Sequence, residues 1–102
     1  MSISIKLSSQ VQVQCTQFIL DNFEIESIKI EKQDILIRTS HPEGTTKSRS
    51  FRLYMNSDNS DLLTVVISDL HYLLLDRCTV LNAPFTTFEQ FKNTLNLLKI
   101  TQ

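Results

Sequence analysis

The sequence predicts an α+β fold: a four- or five-stranded mainly antiparallel sheet with N-terminal and C-terminal helices packed on one face, as a single domain over residues 1–102. Three observations carry this. Ten Ile, five Val and ten Thr stand against one Ala and one Gly, a composition that suits a pleated, half-buried surface. Apolar residues in the middle of the chain pair across two turns in constant register. The two ends place apolar residues at helical spacing beside capping residues.

Ile3, Ile5 and Leu7 alternate with polar neighbours and predict a short strand over 3–7. From Ser9 the pattern changes: Val11, Cys15, Phe18, Ile19 and Phe23 share one face of a helix over 9–22, with Ser8 or Ser9 as N-cap. The alternation also reaches Val13 and Cys15, so an N-terminal hairpin turning on Ser8, Ser9 and Gln10 stays open at this point.

In an antiparallel hairpin, opposed residues share a face and their residue numbers share a constant total. Ile28 with Ile37 and Ile30 with Ile35 give one total, closing a turn at Lys32 and Gln33. Ile35 with Leu53, Ile37 with Phe51 and Thr39 with Arg49 give a second, whose midpoint is Gly44 in the loop from His41 to Lys47. A residue at ease with positive φ is most useful there. Three strands follow, over 27–31, 35–40 and 48–55. Asn56 to Asp61 reads as a turn, and the run over 62–68 as a fourth strand, apolar on both faces and therefore inside the sheet.

Leu70 to Arg77 reads either as a helix capped by Ser68, with Leu70, Leu73, Leu74 and Arg77 on one side, or as a fifth strand. Unbranched leucines favour the helix. Pro84 then holds Ala83 extended. Thr86 and Glu89 form a T-x-x-E capping box for a final helix over 87–99, whose apolar face is Phe88, Phe91, Leu95 and Leu98. Leu97 and Ile100 lie off that stripe and offer a second apolar edge suited to a homodimer.

Composition excludes several function classes. One glycine is too few for the phosphate-cradling turns of dinucleotide-binding and P-loop folds. Cys15 and Cys78 form no CxxC knuckle, and each falls among apolar neighbours as a small hydrophobe, with nothing to force a disulfide. The N-terminus lacks the basic start and apolar run of a signal peptide, and no stretch is long enough to span a membrane. A cytoplasmic chain with reduced thiols, no membrane partner and no cofactor is expected.

Candidate chemistry is sparse. His71 has Asp69, Asp76 and Cys78 nearby, but the spacing fits no zinc pattern, and an ordinary histidine is the simpler reading. The acidic turn fails as an EF-hand loop, because Asp61 and Ile67 stand where glycine and glutamate are needed. Its Asn, Asp and Ser residues are those of a β-turn. No nucleophile accompanies His41, whose loop position suits contact with a partner.

The same register places Lys29, Leu36, Arg38, Arg52 and Tyr54 on the sheet face opposite the core. From Lys29 to Tyr54 six basic residues face three acidic ones, although the whole chain carries a net charge of −1. Arg and Tyr are the residue types that anchor protein interfaces. The expectation is a non-catalytic protein-interaction module, a small regulator, inhibitor or adaptor, binding through this basic face or an open sheet edge. The alternative is a single-stranded nucleic-acid-binding domain using the same face. That design uses two or three stacking aromatics where only Tyr54 is placed, and the chain's pI of about 6.1 is low for it.

Overall fold

Ser9 opens the first helix, α1 (Gln10–Asn22), by accepting a hydrogen bond from the Gln12 amide at 3.4 Å. The computed structural model describes residues 9–40, 47–56 and 59–100; the strand expected over 3–7, and His41 and Gly44, lie outside the described residues. Helical spacing wins over strand alternation in α1 because it buries Val11, Cys15 and Ile19 together, with Phe23 at the C-cap. Gln12 is also buried, and its amide nitrogen donates to the carbonyls of Gln33 (2.7 Å) and Leu53 (3.2 Å), fixing the helix over the sheet.

Five strands follow: β1 (Ile25–Glu31), β2 (Asp34–Ser40), β3 (Lys47–Asn56), β4 (Asn59–His71) and β5 (Asp76–Phe85). They form one antiparallel sheet in the order β1-β2-β3-β4-β5. The register read from sequence holds pair by pair: Ile28 faces Ile37, Ile30 faces Ile35, Ile35 faces Leu53, Ile37 faces Phe51 and Thr39 faces Arg49. Lys32 takes a positive φ of 57° in the two-residue turn between β1 and β2.

The chain departs from expectation after Ser68. Leu70 to Arg77 is not a helix. β4 runs on to His71, a turn occupies 72–75, and β5 returns beside it, with Leu70 opposite Arg77 and His71 opposite Asp76. Pairing to β3 decides this: Ser48 faces Leu70 and Lys47 faces His71, so leaving the sheet at Ser68 would strand the end of β3. Tertiary pairing here overrides the weak helix preference of leucine. The turn cluster after β3 is likewise shorter than expected, since β3 reaches Asn56 and β4 begins at Asn59.

The final helix, α2 (Phe88–Leu97), is capped one residue later than expected. Thr87, not Thr86, is its N-cap, and Gln90, not Glu89, completes the capping box. Gln90 Oε1 accepts from the amides of Thr86 (2.8 Å) and Thr87 (3.3 Å). At the other end Lys99, at φ 57°, turns the chain so that the Ile100 amide reaches the Leu95 carbonyl at 2.8 Å and the Lys99 amide reaches Asn96. This six-to-one closure drops Ile100 into the core. The second apolar edge therefore does not exist as expected: Ile100 is buried, while Leu97 and its neighbour Leu98, expected on the core face, are both exposed.

Both helices cover one face of the sheet. Ile35, Ile37, Phe51, Leu53, Leu63, Val65 and Ile67 form the floor of the core. Phe18 of α1, Phe85 of β5 and Phe88 of α2 pack around Phe91 at centroid separations of 5.9–6.4 Å. Cys15 has no exposure and burial pushes its thiol pKa up to about 12, whereas Cys78 is exposed on β5 rather than packed among apolar neighbours. Its strand is the sheet edge, so its expected burial fails with the helix expected there. Both thiols are free.

Candidate functional site

The uncovered face of the sheet is ordered in cross-strand rows. Ser27, Arg38, Ser50, Ser68 and Thr79 form one row from β1 to β5. Lys29, Leu36, Arg52, Val66 and Asn82 form the next. Glu31, Asp34, Tyr54, Thr64 and Pro84 form a third. The alternation that buries isoleucine on one side thus gathers arginines and hydroxyls on the other.

This face is concave. Lys29 and Glu31 from β1, Asp34 and Leu36 from β2, Ser50 and Arg52 from β3, Val66 and Ser68 from β4, and Arg77 from β5 line one trough of about 410 Å³. In a flat sheet the two edge strands would lie about 19 Å apart. Side chains from both edges, among them the long Lys29 and Arg77, nevertheless line this one hollow.

Four of the charges in the trough are already matched, in two pairs. Arg52 holds Asp34 through paired hydrogen bonds, the shortest 2.7 Å, and its guanidinium carbon lies 4.6 Å from the centre of the Tyr54 ring. The hydrogen bond to Asp34, with help from the charge, raises the Arg52 pKa further above the ordinary arginine value. Lys29 stands 4.0 Å from Glu31, both well exposed, a contact of little energy in water. Arg38 and Arg77 have no acidic partner among the described residues.

Of the residues expected at the site, Lys29, Leu36 and Arg52 line the trough. Arg38 lies on the same face, opposite Ser27 and Ser50. Tyr54 lines a neighbouring, more open hollow of about 620 Å³ with Lys32, Gln33 and Met55. His41 lies outside the described residues. Sequence reasoning missed Arg77, because its segment was expected to be helical. A signal was present: Leu63 with Phe85, Val65 with Ala83 and Ile67 with Leu81 share a constant total, as the first two hairpins do.

The other candidate chemistry is accounted for locally. Asp69 is held by Arg49 at 2.7 and 3.2 Å, in a half-buried pair on the helix side of the sheet. His71 Nδ1 accepts from the Leu74 amide at 3.3 Å. No three of His, Cys, Asp and Glu gather into a metal-ligand cluster among the described residues, and no helix described is long and apolar enough to cross a membrane.

Fold and face together define a class: an antiparallel five-stranded meander with a helix at either end on one side and a curled, polar and basic face on the other. No known protein family, curated protein or solved structure matches the chain.

Proposed function

We propose that this chain is a non-catalytic protein-binding module, a cytoplasmic regulator, inhibitor or adaptor, whose concave sheet face receives an acidic segment of a macromolecular partner. The observation that carries this is the trough itself, to which all five strands contribute and in which the carboxylates are matched while Arg77 is not. Arg38 adds a second unmatched guanidinium beside it. Arginines set among serines and threonines on a rigid sheet provide planar donors for carboxylates at small ordering cost. Leu36 and Val66 supply the apolar floor that a bound segment needs.

Support for single-stranded nucleic acid as the ligand is weaker. Tyr54, the one aromatic expected on this face, has its ring covered by Arg52, which removes it as a stacking platform.

Pull-down from native lysate with wild type and an Arg38→Glu/Arg77→Glu variant tests the proposal. Loss of specific protein partners from the variant is the expected result, and identical partner lists overturn it. Binding of short single-stranded oligonucleotides with a steep salt dependence would transfer the face to nucleic acid.

A further inference from the structure

Ile28 and Ile30 of β1 belong to cross-strand rows whose members on the three middle strands, Ile37, Phe51 and Ile67, and Ile35, Leu53 and Val65, have no exposure at all, while the β5 members, Leu81 and Ala83, are partly buried. The two β1 isoleucines are 44% and 38% exposed. They point to the helix side, but neither α1 nor α2 covers them. α2 packs at β5, and Phe18 marks the flank of α1 turned toward α2. By helical periodicity Val13 and Leu20 lie on the opposite flank, the one facing the β1 edge, and they are 44% and 36% exposed. Four apolar side chains thus form a shelf along the edge strand.

Among the described residues no strand pairs with the outer side of that edge either. Glu31 and Asp34 flank a two-residue turn and exchange hydrogen bonds, so Lys29 and Ser27 also bond to β2. Ile28 and Ile30 therefore aim their N–H and C=O groups away from β2, where no described strand lies.

We propose that β1 pairs antiparallel with β1 of a second copy of this chain, joining two sheets into one of ten strands. A two-fold axis at Lys29 sets Ile28 opposite Ile30 of the second copy, twice, in the hydrogen-bonding phase. The four isoleucines then close over one another beside the two α1 flanks. On the other face Ser27 meets Glu31, and Lys29 meets its counterpart with a Glu31 of each chain beside it. The segment Ser27–Glu31 carries one positive and one negative charge, so these two lysines and two glutamates form a neutral cluster. The Glu26 bulge, where Ile25 pairs with Thr39 and Ser27 with Arg38, limits the pairing to these five residues. The apolar positions are self-complementary and each of the two facing lysines keeps a Glu31 beside it, which identifies the occupant as a second copy.

Light scattering across a concentration series tests this. Wild type is expected to pass from 11.8 kDa to twice that mass. Ile28→Pro removes one outward N–H without touching the β1–β2 ladder, and is expected to stay at 11.8 kDa with an unchanged circular dichroism spectrum. Should that variant unfold, Val13→Glu/Leu20→Glu, on an exposed helix flank, is expected to give the same loss. Hydrogen exchange is expected to slow at the Ile28 and Ile30 amides only at concentrations where the mass doubles. A wild type that stays monomeric at millimolar concentration, leaving the edge to a strand of a different protein, overturns the proposal. So does a dimer that survives these substitutions.

Discussion

The two edges of this sheet are built differently. On β5, Val80 is an extra residue that breaks the register, Pro84 has no N–H to offer, and α2 folds back to seal Phe85 under Phe91. Each of these blunts an edge against further pairing. β1 has its bulge at one end and then five regular residues, with the backbone groups of Ile28 and Ile30 turned outward and, among the described residues, no helix above their side chains. One edge is closed by covalent chemistry and packing, whereas the other is left in a state that a neighbouring strand completes.

The largest expected effect lies at the closed edge. Phe91→Ala removes the ring shared by Phe18, Phe85 and Phe88 and should cost about 3–5 kcal/mol by urea unfolding. A loss below about 1 kcal/mol would show that α2 does not seal the edge. Next comes the cover over the middle strands. The folded chain keeps the Cys15 proton to about 12, while the unfolded thiol releases it near its ordinary 9.0. Unfolding between these values releases a proton, so stability falls as pH rises through this window, by up to about 1.4 kcal/mol per pH unit. Cys15→Val should flatten that slope, and an unchanged slope would mean that other groups set it.

Thr87→Ala should cost about 1 kcal/mol, read as a lower melting temperature, because it removes the hydroxyl that accepts from the Gln90 amide at 3.2 Å. The smallest effect belongs to the open edge. In dilute protein Ile30→Ala should cost less than about 1 kcal/mol, since much of the side chain is already in water. The cost should grow with protein concentration, as mass action requires of a residue buried by association. A cost as large as that of Phe91→Ala in dilute protein would erase the contrast between the edges.

The contrast also marks where the sequence was informative. Alternation and constant register placed Lys29, Leu36, Arg38 and Arg52 on one face correctly, because a strand with one buried side allows no slippage. β5 was harder to see. The bulge at Val80 interrupts its register, and a run of leucines has no strand periodicity of its own. The identity of the capping threonine depended on one residue of helical phase, which two adjacent threonines leave ambiguous until Gln90 reaches back. The uncovered state of Ile28 and Ile30 was invisible in sequence, since it depends on where the helices lie across the sheet rather than on the strand's own pattern.

The turn that joins β4 to β5 presents Leu73, Leu74 and Leu75 at 75%, 71% and 84% exposure, with Leu75 at φ 51°. Because neighbours in the sheet are neighbours in the chain, this turn is the single covalent link between the first four strands and the β5–α2 unit. A protease with an apolar primary pocket would find its preferred residues here on an accessible tip. After one cut the two pieces would still share the β4–β5 ladder and the phenylalanine cluster. The molecule is thus divisible at Leu74 into fragments that should recognise each other, and reassembly of the separately made halves would measure how much of the fold's specificity lies in side chains rather than in connectivity.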